Sequence, residues 1–586
     1  MNVQIEDTPN KISVGESIAP RESIQIALKR SAKKRFGISW NKSESILAWG
    51  QPSGIADELE KLNQCLVTGN ELTDFGSSVE SLKNLGNKFS FGSDSSDSTL
   101  PNVLQGLSLA YQLNRFAGEE KCAEMVESLL STLRLKEHFD PLTIPTSGTQ
   151  LLITQLTHIE FPLVIVAQCF AGLSKCDLNR LVIETTKRFE TLLDATTDGD
   201  GWVESCFFEQ FWPLAASWSR TFQLLHHFEI QVNNETRQQL EWICRQFLRS
   251  MGPDGKQMLG ANDQYAASLK FQETVIALSL DRVDKKLARL RDPNRESKKK
   301  DDINLTLFDE NGFSEWASSG IIQSGWGSHS PRVAISANQT NLKLEMSARV
   351  SLIRGQLKLR VWFNGQQLEF FRDEHEIRCW HSDERVEYIE LEYQLDQGAT
   401  LERQILLGRE DHFVLIADAI HFAESGEIQY EHRLPLSPNI SVLCESETRE
   451  VYLKDKQIES LVLPLGLGEW KADGARGSLN AEQGDLLLKQ SCVGRAIYAP
   501  LFFDLSPQRS KRPRTWRHLT VAEDRVNLKK DQAAAFRIQI GKEQWLICRN
   551  LDGSSNRTFM GENHIGEFFV GRSDGVSEAE ELLEIE

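Results

Sequence analysis

The stretch NLKLEMSARVSLIRGQLKLRVWFNG, residues 341–365, shows the pattern that decides the fold of this chain. Apolar and polar residues alternate along it, which is the period of a β-strand that buries one face. The alternating apolar positions are Leu342, Leu344, Met346, Ala348 and Val350, then Leu357, Leu359, Val361 and Phe363. The second run ends at Asn364-Gly365, a dipeptide that favours a two-residue hairpin turn. The stretch therefore predicts β-strands, the second of which turns back in a hairpin.

The same period of two continues toward the C-terminus. Residues 389–395 alternate and then turn at Asp396-Gln397-Gly398, and residues 536–540 alternate before a turn at Gly541. Residues 412–420, HFVLIADAI, are apolar on both faces, which predicts a central strand between two layers. Many short strands with frequent turns predict a large antiparallel β-sandwich over residues 305–575. The remaining residues, 576–586, form an acidic segment that we expect to be frayed.

Before about residue 300 the apolar period is that of α-helices. The first helix has its apolar face at Val103, Leu104, Leu107, Ala110 and Tyr111, and Gly118 closes it. Further helices are predicted at 122–133, at 150–170, after the N-cap Asp177, at 206–228, before Gly252-Pro253, and at 265–280. Successive helices joined by short turns predict stacked antiparallel hairpins over residues 100–283.

Two segments flank the predicted helical domain. Residues 1–99 predict an N-terminal region that is partly irregular. The charged stretch RLRDPNRESKKKDD lies within residues 284–304, which we interpret as the linker between the helical domain and the sandwich. The fold class is therefore α followed by β in a multidomain chain.

Bulk composition limits the function classes. The 586 residues are 40% hydrophobic and 26% charged, with a formal net charge of -18, which disfavours a general nucleic-acid binder. No segment is typical of a signal peptide or a membrane span, so a cytoplasmic location without membrane contact is expected. The ten cysteines are scattered, without a CxxC pair, and are interpreted as reduced thiols. No motif predicts a metal site or a cofactor.

Short motifs follow one another along residues 100–440. They are Asp198-Gly199-Asp200-Gly201-Trp202-Val203-Glu204, then Pro253-Asp254-Gly255 with Leu259-Gly260-Ala261-Asn262-Asp263, then Ser328-His329-Ser330, then Leu401-Glu402-Arg403-Gln404 with the strand from His412 to Asp418. Their order, with helices before a sandwich, resembles the heparinase II/III-like polysaccharide lyases. The resemblance implies an incomplete (α/α) toroid followed by a large antiparallel β-sandwich, with a cleft between them.

The resemblance also implies a reaction, elimination beside a uronate. That reaction needs a group that neutralises the carboxylate, a base that removes the C5 proton, and a donor that protonates the leaving oxygen. This chain departs from the family where such groups are expected. The family's Asn-His pair is replaced by Thr149-Gln150, with His158 further along the helix, and its tyrosine by Phe208-Glu209. The H-x-H-x-D pattern of the sandwich is reduced to His329-Ser330-Pro331-Arg332.

Seven residues remain as candidates for the site. His329, Tyr265 and Asn262 are predicted as a catalytic set, and Trp202, Glu204, Phe208 and Arg332 as substrate-binding residues. Structural alternatives stay open: Tyr265 can pack on its neighbours, Asn262 can cap a helix, and aromatic residues at helical spacing can fill the core. His158 is interpreted as a core histidine. The basic run from Arg509 to His518 is either a solvated loop or an attractor of an acidic glycan.

Three functions are compatible with the sequence. The chain is a lyase-related protein acting on uronic-acid-containing glycans, a non-catalytic scaffold of the same fold that binds a glycan or a protein, or a structural protein. The missing tyrosine and Asn-His positions favour a scaffold over an active lyase. The expected partner is an acidic polysaccharide or oligosaccharide, and the oligomeric state stays open.

Overall fold

The computed structural model describes residues 44–68, 99–112, 145–169, 175–291, 312–339, 341–474, 476–573 and 579–586. Helices come first along the chain and antiparallel strands follow. The helices are α1 Ser53–Thr68, α2 Thr99–Gln112, α3 Gly148–Gln155, α4 Phe161–Cys169, α5 Lys175–Thr196, α6 Phe211–His227, α7 Asn234–Arg249, α8 Leu269–Ile276 and α9 Arg282–Arg291. A π-helical turn, Leu156–Glu160, joins α3 to α4, and a 3₁₀ segment, Ser205–Gln210, leads into α6.

Side-chain caps fix where several of these helices begin. Ser147, Asn233 and Ser268 precede α3, α7 and α8, and each accepts a hydrogen bond from a backbone N–H of the first turn. Among the described residues, one continuous helical stretch, Gly148–Ala167, is long and apolar enough to cross a membrane, and 72% of it is buried in the protein. Such burial is what a central helix of a globular core requires.

The strands form four sheets in the described part of the chain. The first sheet contains β1 Phe313–Ser314, β2 Ser319–Gln323, β3 Arg332–Asn338, β4 Asn341–Ser347 and β5 Ser351–Gln356. The central sheet contains β6 Lys358–Phe363, β7 Gln366–Leu368, β8 Phe370–Ser382, β9 Val386–Leu395, β10 Thr400–Gly408, β11 Phe413–Pro435, β12 Ser441–Cys444, β13 Val451–Lys454, β14 Ile458–Pro464, β15 Gly477–Glu482 and β16 Asp485–Asp504.

Two further sheets complete the C-terminal part. The C-terminal sheet has the order β17 Arg514–Leu519, β20 Ala533–Ile540, β21 Glu543–Asn550, β24 Phe568–Ser573 and β25 Glu580–Ile585. The small sheet contains β18 Ala522–Glu523, β19 Val526–Asn527, β22 Arg557–Phe559 and β23 Glu562–His564. Shared hydrophobic clusters show the order of the layers: helices, first sheet, central sheet, C-terminal sheet and small sheet.

The central strand is where its sequence predicted it. β11 pairs antiparallel with β10 on one side and β16 on the other. Val414 and Ile416 pack toward the first sheet, whereas Phe413 and Leu415 pack toward the C-terminal sheet. Both faces are apolar because each one lies in a different core.

The predicted hairpins are also confirmed. Asn364 and Gly365 have φ of 49° and 82° and join β6 to β7, as a type I′ turn requires. The turn between β9 and β10 places Gln397 at φ 61°, and Gly541 at φ 64° joins β20 to β21.

The ends of the predicted segments need correction. The acidic C-terminal segment is not frayed, because β25 pairs with β24 and buries Leu582 and Leu583. The first residues of the predicted linker belong to α9, whose Leu287 lies in the helical core. The N-terminal region, predicted as partly irregular, contains α1, and Trp49 before that helix is buried in the same core. The sequence did not indicate these contacts, because the three segments are rich in charged residues and have few apolar positions.

Other predicted features have a mixed outcome. The last predicted helix is shorter, α8, because residues 261–268 form a turn and loop before it. The predicted helix at 122–133, Gly118 and residues 292–304 of the predicted linker lie outside the described residues. The closure of the helices into a toroid, and the remaining domain boundaries, stay predictions.

Candidate functional site

The helices meet the first sheet through two loops of the helical part. In one loop, Ser319 Oγ donates a hydrogen bond to the carbonyl of Val203 at 2.7 Å. The backbone N–H of Ser205 donates to the carbonyl of Ala317 at 2.8 Å, and Ser336 Oγ donates to the carbonyl of Ser205 at 3.1 Å. The Asp-Gly-aromatic-x-Glu motif therefore lies against β2 and β3, at the junction between helices and sheet.

A tight turn explains the sequence of that motif. The carboxylate of Asp198 accepts hydrogen bonds from the backbone N–H of Asp200 at 3.0 Å and of Trp202 at 2.7 Å. Gly201 has φ of 77°, and a Cβ there would come within 2.5 Å of the backbone nitrogen of Ile243. Burial raises the pKa of Asp198. Asp198 and Gly201 therefore shape the turn of the junction, and the carboxylate of Asp198 is already occupied by its hydrogen bonds within that turn.

The second junction loop, residues 250–263, is fixed by charged side chains of the first sheet. The buried carboxylate of Glu345 accepts a hydrogen bond from the backbone N–H of Leu259 at 2.7 Å, and Arg354 donates to the carbonyl of Gly260 at 2.7 Å. Burial raises the pKa of Glu345, although the charge of Arg354 opposes that rise. The loop that contains Asn262 is thus anchored on β4 and β5.

Arg332 is a structural residue and does not contact solvent. It is fully buried, and its guanidinium donates to the carbonyls of Gly327 at 2.8 Å, Ser328 at 3.0 Å and Met251 across the junction. Burial lowers the pKa of Arg332 to about 9. The prediction that Arg332 binds substrate is wrong, because its donors are used to hold the loop that contains His329.

The same loop is anchored from the helical side by an aromatic contact that the sequence did not indicate. Trp326 is buried between two guanidinium groups, with Arg249 at 5.2 Å and Arg291 at 4.9 Å from a ring centroid. Arg291 also donates to the carbonyl of Gly327 at 3.2 Å. Arginines at apolar-facing helix positions resemble surface residues in sequence, so no local signal distinguishes them.

His329 lies exposed on this anchored loop, between β2 and β3. Partial desolvation and the positive charges of Arg332 and Arg349 lower its pKa below the usual value for histidine. Arg349 follows β4, is partly exposed, and donates to Glu459 at 3.1 Å. A neutral imidazole and a guanidinium therefore share one solvent-accessible region of the junction.

Tyr265 and Asn262 are exposed in a neighbouring loop, but their surroundings differ from those of His329. The hydroxyl of Tyr265 donates to Asp57 at 2.9 Å, and this hydrogen bond raises the pKa of the phenol. Asn262 does not cap α8, because Ser268 does. The structure groups Tyr265 with α1 and His329 with Arg349, and a joint catalytic set of all three stays a prediction.

Trp202 and Phe208 do not line a cleft. Each is 1% exposed, and their rings stack at 6.1 Å in the helical core. Their prediction as substrate-binding residues is wrong, because their rings pack inside the apolar core and are not accessible to a sugar. Glu204 is partly exposed and accepts from the thiol of Cys206 at 3.6 Å, so its predicted role stays untested. His158 is buried in the π-helical turn, as interpreted from its apolar helix.

The last two sequence motifs, residues 401–404 and 412–418, lie on neighbouring strands of the central sheet and contribute a buried ion pair. Arg403 donates to both oxygens of Asp418, at 2.7 and 2.8 Å, and Tyr430 donates to the same carboxylate at 2.8 Å. His432 is fully buried nearby, and burial lowers its pKa to about 3. Within the described ranges, no cluster of three or more His, Cys, Asp or Glu residues could hold a metal ion.

Comparisons with known proteins identify the fold. No family model matches the sequence, and no curated protein matches it. Solved structures do match in three dimensions. Heparan sulfate lyase HepC from Pedobacter heparinus superposes with a TM-score of 0.55 at 11% identity, over 91% of this chain and 95% of that one. A heparinase III superposes with a TM-score of 0.53 at 10% identity, over 97% and 93% of the two chains.

The class that this architecture defines is the polysaccharide-lyase fold with helices before stacked β-sheets. Within that class, the matching structures include heparinase III and heparan sulfate lyase, as the sequence motifs predicted. At 10–11% identity the likeness shows the fold alone.

Proposed function

We propose that this chain is a heparinase II/III-like protein that binds a uronic-acid-containing glycan at the junction around His329 and Arg349, without cleaving it. The observation that carries the proposal is the exposed His329, held on an anchored loop between helices and first sheet, with the partly exposed Arg349 close enough to lower its pKa. Arg349 lies after β4 and also donates to Glu459. A guanidinium recognises a carboxylate through paired hydrogen bonds, and an imidazole can bond to a neighbouring hydroxyl. An acidic glycan supplies both groups.

The tyrosines of the chain support binding over elimination. All seven lie in the described residues, and six are 4% exposed or less: Tyr111, Tyr388, Tyr393, Tyr430, Tyr452 and Tyr498. The remaining one, Tyr265, is 53% exposed but donates to Asp57, which makes its proton harder to remove. A buried or carboxylate-bound phenol is a poor base for a sugar proton. Each tyrosine of the chain is therefore either buried or bound to a carboxylate.

A second candidate function is elimination with His329 as the base. Its lowered pKa favours this candidate, because the imidazole is unprotonated at neutral pH and can accept a proton. Arg349 would then stabilise the charge that develops on the uronate carboxylate. In this case a residue other than tyrosine would protonate the leaving oxygen.

One pair of assays separates the two functions. Binding of heparan sulfate, chondroitin sulfate and a polyuronate is measured by calorimetry, and ultraviolet absorbance of the unsaturated product is followed in the same mixtures. Replacing His329 by Ala and Arg349 by Gln should weaken binding at least about tenfold, because a charge-assisted contact from Arg349 and a hydrogen bond from His329 are lost. Arg360→Gln on β6 removes an exposed cation elsewhere and should leave binding unchanged.

The outcomes are distinct. Binding that depends on His329 and Arg349, with no absorbance change, supports the binding function. A rise in absorbance that His329→Ala abolishes supports the lyase. Binding that none of these substitutions alters would contradict a glycan site at the junction.

A further inference from the structure

In the basic run from Arg509 to His518, some arginines pair with acidic side chains and others do not. Arg509 is buried and donates to Asp504 and Glu543. Arg514 pairs with Glu450 at 3.4 Å and lies over the ring of Tyr452. These arginines hold layers together. The run is therefore not simply a solvated loop.

Arg517 is different, because it faces another arginine. It lies directly opposite Arg537 in the antiparallel register of β17 and β20. Their neighbours Trp516, Phe536 and Ile538 point into the core beneath, so both arginines lie on the opposite face of the C-terminal sheet. Further along this face Leu519, Ala533 and Ala535 pack against the small sheet, whereas Arg517 is exposed and Arg537 is partly exposed. Across the part of the chain that the structure describes, the side chain of neither one has an ion-pair or hydrogen-bond partner. Like charges directly opposite destabilise a sheet.

More cations lie at both ends of these two strands. Lys530 is exposed just before β20, and its charge contributes to lowering the pKa of the largely desolvated His518. Arg512 and Lys542 are exposed at the other end, where the backbone N–H of Gly541 bonds to the carbonyl of Pro513. We call Lys530, Arg517, Arg537, Arg512 and Lys542 the basic stripe. The eight residues of β20 extend over roughly 26 Å.

The acidic groups near the basic stripe are Glu469, Glu543 and Asp473, whose charge at His518 opposes that of Lys530. Glu469 accepts from Thr515, next to Arg517 on the same face, and Glu543 is shared between Arg509 and Arg512. The chain as a whole has a net charge of -18, whereas Arg517 and Arg537 form an unpaired basic pair on its surface. Thr515 and Gln539 flank the arginines and offer groups that bond to hydroxyls.

We propose that the basic stripe is a second binding site, which takes a linear acidic polysaccharide at Arg517 and Arg537, on the part of this face of the C-terminal sheet that the small sheet leaves exposed. The polyanion would relieve the repulsion between Arg517 and Arg537, and guanidinium groups bond to sulfate or carboxylate oxygens through paired donors. The choice of a glycan as the polyanion rests on the proposed function, whereas the site itself rests on the unpaired arginines.

The test uses the full chain and a fluorescein-labelled heparan sulfate oligosaccharide, with binding followed by anisotropy. The double variant R517Q/R537Q should bind about tenfold more weakly, and the loss should shrink at high salt because exposed charges are then screened. The control K358Q/R360Q removes two exposed cations from β6 and should change affinity less than about twofold. Without ligand, R517Q/R537Q should melt at or above the temperature of the wild type, since it removes a repulsive pair.

The same measurement in a background of His329→Ala and Arg349→Gln separates the two sites. A loss caused by R517Q/R537Q in that background supports the basic stripe, whatever the junction does. Equal losses for R517Q/R537Q and the β6 control would overturn the stripe, because net charge alone would then explain binding. Tighter stripe-dependent binding of polyglutamate or of duplex RNA would overturn the glycan assignment.

Discussion

Replacing Asp418 by Asn should strongly destabilise the sandwich. Asp418 is fully buried and accepts two hydrogen bonds from Arg403, which is also buried, and one from Tyr430. The substitution leaves the Arg403 cation without its counter-charge in the interior. Breaking a buried pair in this way costs about 3–5 kcal/mol of unfolding free energy.

Removing the pair as a whole should cost less than breaking it. The double variant Arg403→Met/Asp418→Leu takes both charges out of the core, but it leaves the hydroxyl of Tyr430 without its acceptor. An unsatisfied buried hydroxyl costs about 1–3 kcal/mol. Adding Tyr430→Phe removes that hydroxyl, so the triple variant should be the most stable of the three.

Urea unfolding, followed by intrinsic fluorescence and by circular dichroism, measures these differences in the transition of the β part. The reasoning fails if Asp418→Asn costs less than about 1 kcal/mol, because the pair would then be screened by water. It also fails if the double variant is less stable than Asp418→Asn alone.

Three further predictions concern titration and the chain terminus. The pKa of His329, measured by NMR, should lie below that of a free histidine and should rise in Arg349→Gln, since a nearby positive charge is removed. Burial would raise the pKa of Glu402, but the hydrogen bond from His421 and the charge of Arg549 outweigh it and lower the pKa to about 2. Its stabilisation is therefore present above the unfolded value of 4.5 and is lost as pH falls toward about 2. Acid unfolding of Glu402→Gln should be shallower over this interval, and an unchanged profile would contradict the assignment. Leu583→Ala should cost about 2–5 kcal/mol in thermal unfolding, whereas the same change at the exposed Glu581 should be nearly neutral.

The layers of the fold were predictable because their patterns are local and periodic. A period of two placed the strands, and a run apolar on both faces placed β11 in the middle. Turn dipeptides such as Asn364-Gly365 placed hairpins to within a residue. Strands whose apolar content is diluted by charges, such as β25, escaped this reasoning.

The candidate site was harder to predict because burial is a tertiary property. Trp202 and Phe208 carry aromatic rings suited to sugars, yet helix packing buries them. Arg332 was expected to contact substrate, but four backbone carbonyls around it determine its role. His329 was found at an exposed junction loop because its Gly and Ser neighbours indicated one. The partners of Trp326 come from two distant helices, and no spacing along the chain indicates them.

The two faces of β11 have a consequence for how the chain folds. Its ladder with β16 joins Phe413 to Asp504 and Pro435 to Asp485, residues far apart in sequence. A slip of one residue would exchange the faces and misplace both neighbouring cores at once. Neither the first sheet nor the C-terminal sheet can pack correctly until this ladder is in register. Pairing between strands so distant in sequence forms slowly. Until it forms, both apolar faces of β11 are exposed to other chains. Recovery of the protein from denaturant should therefore depend steeply on its concentration.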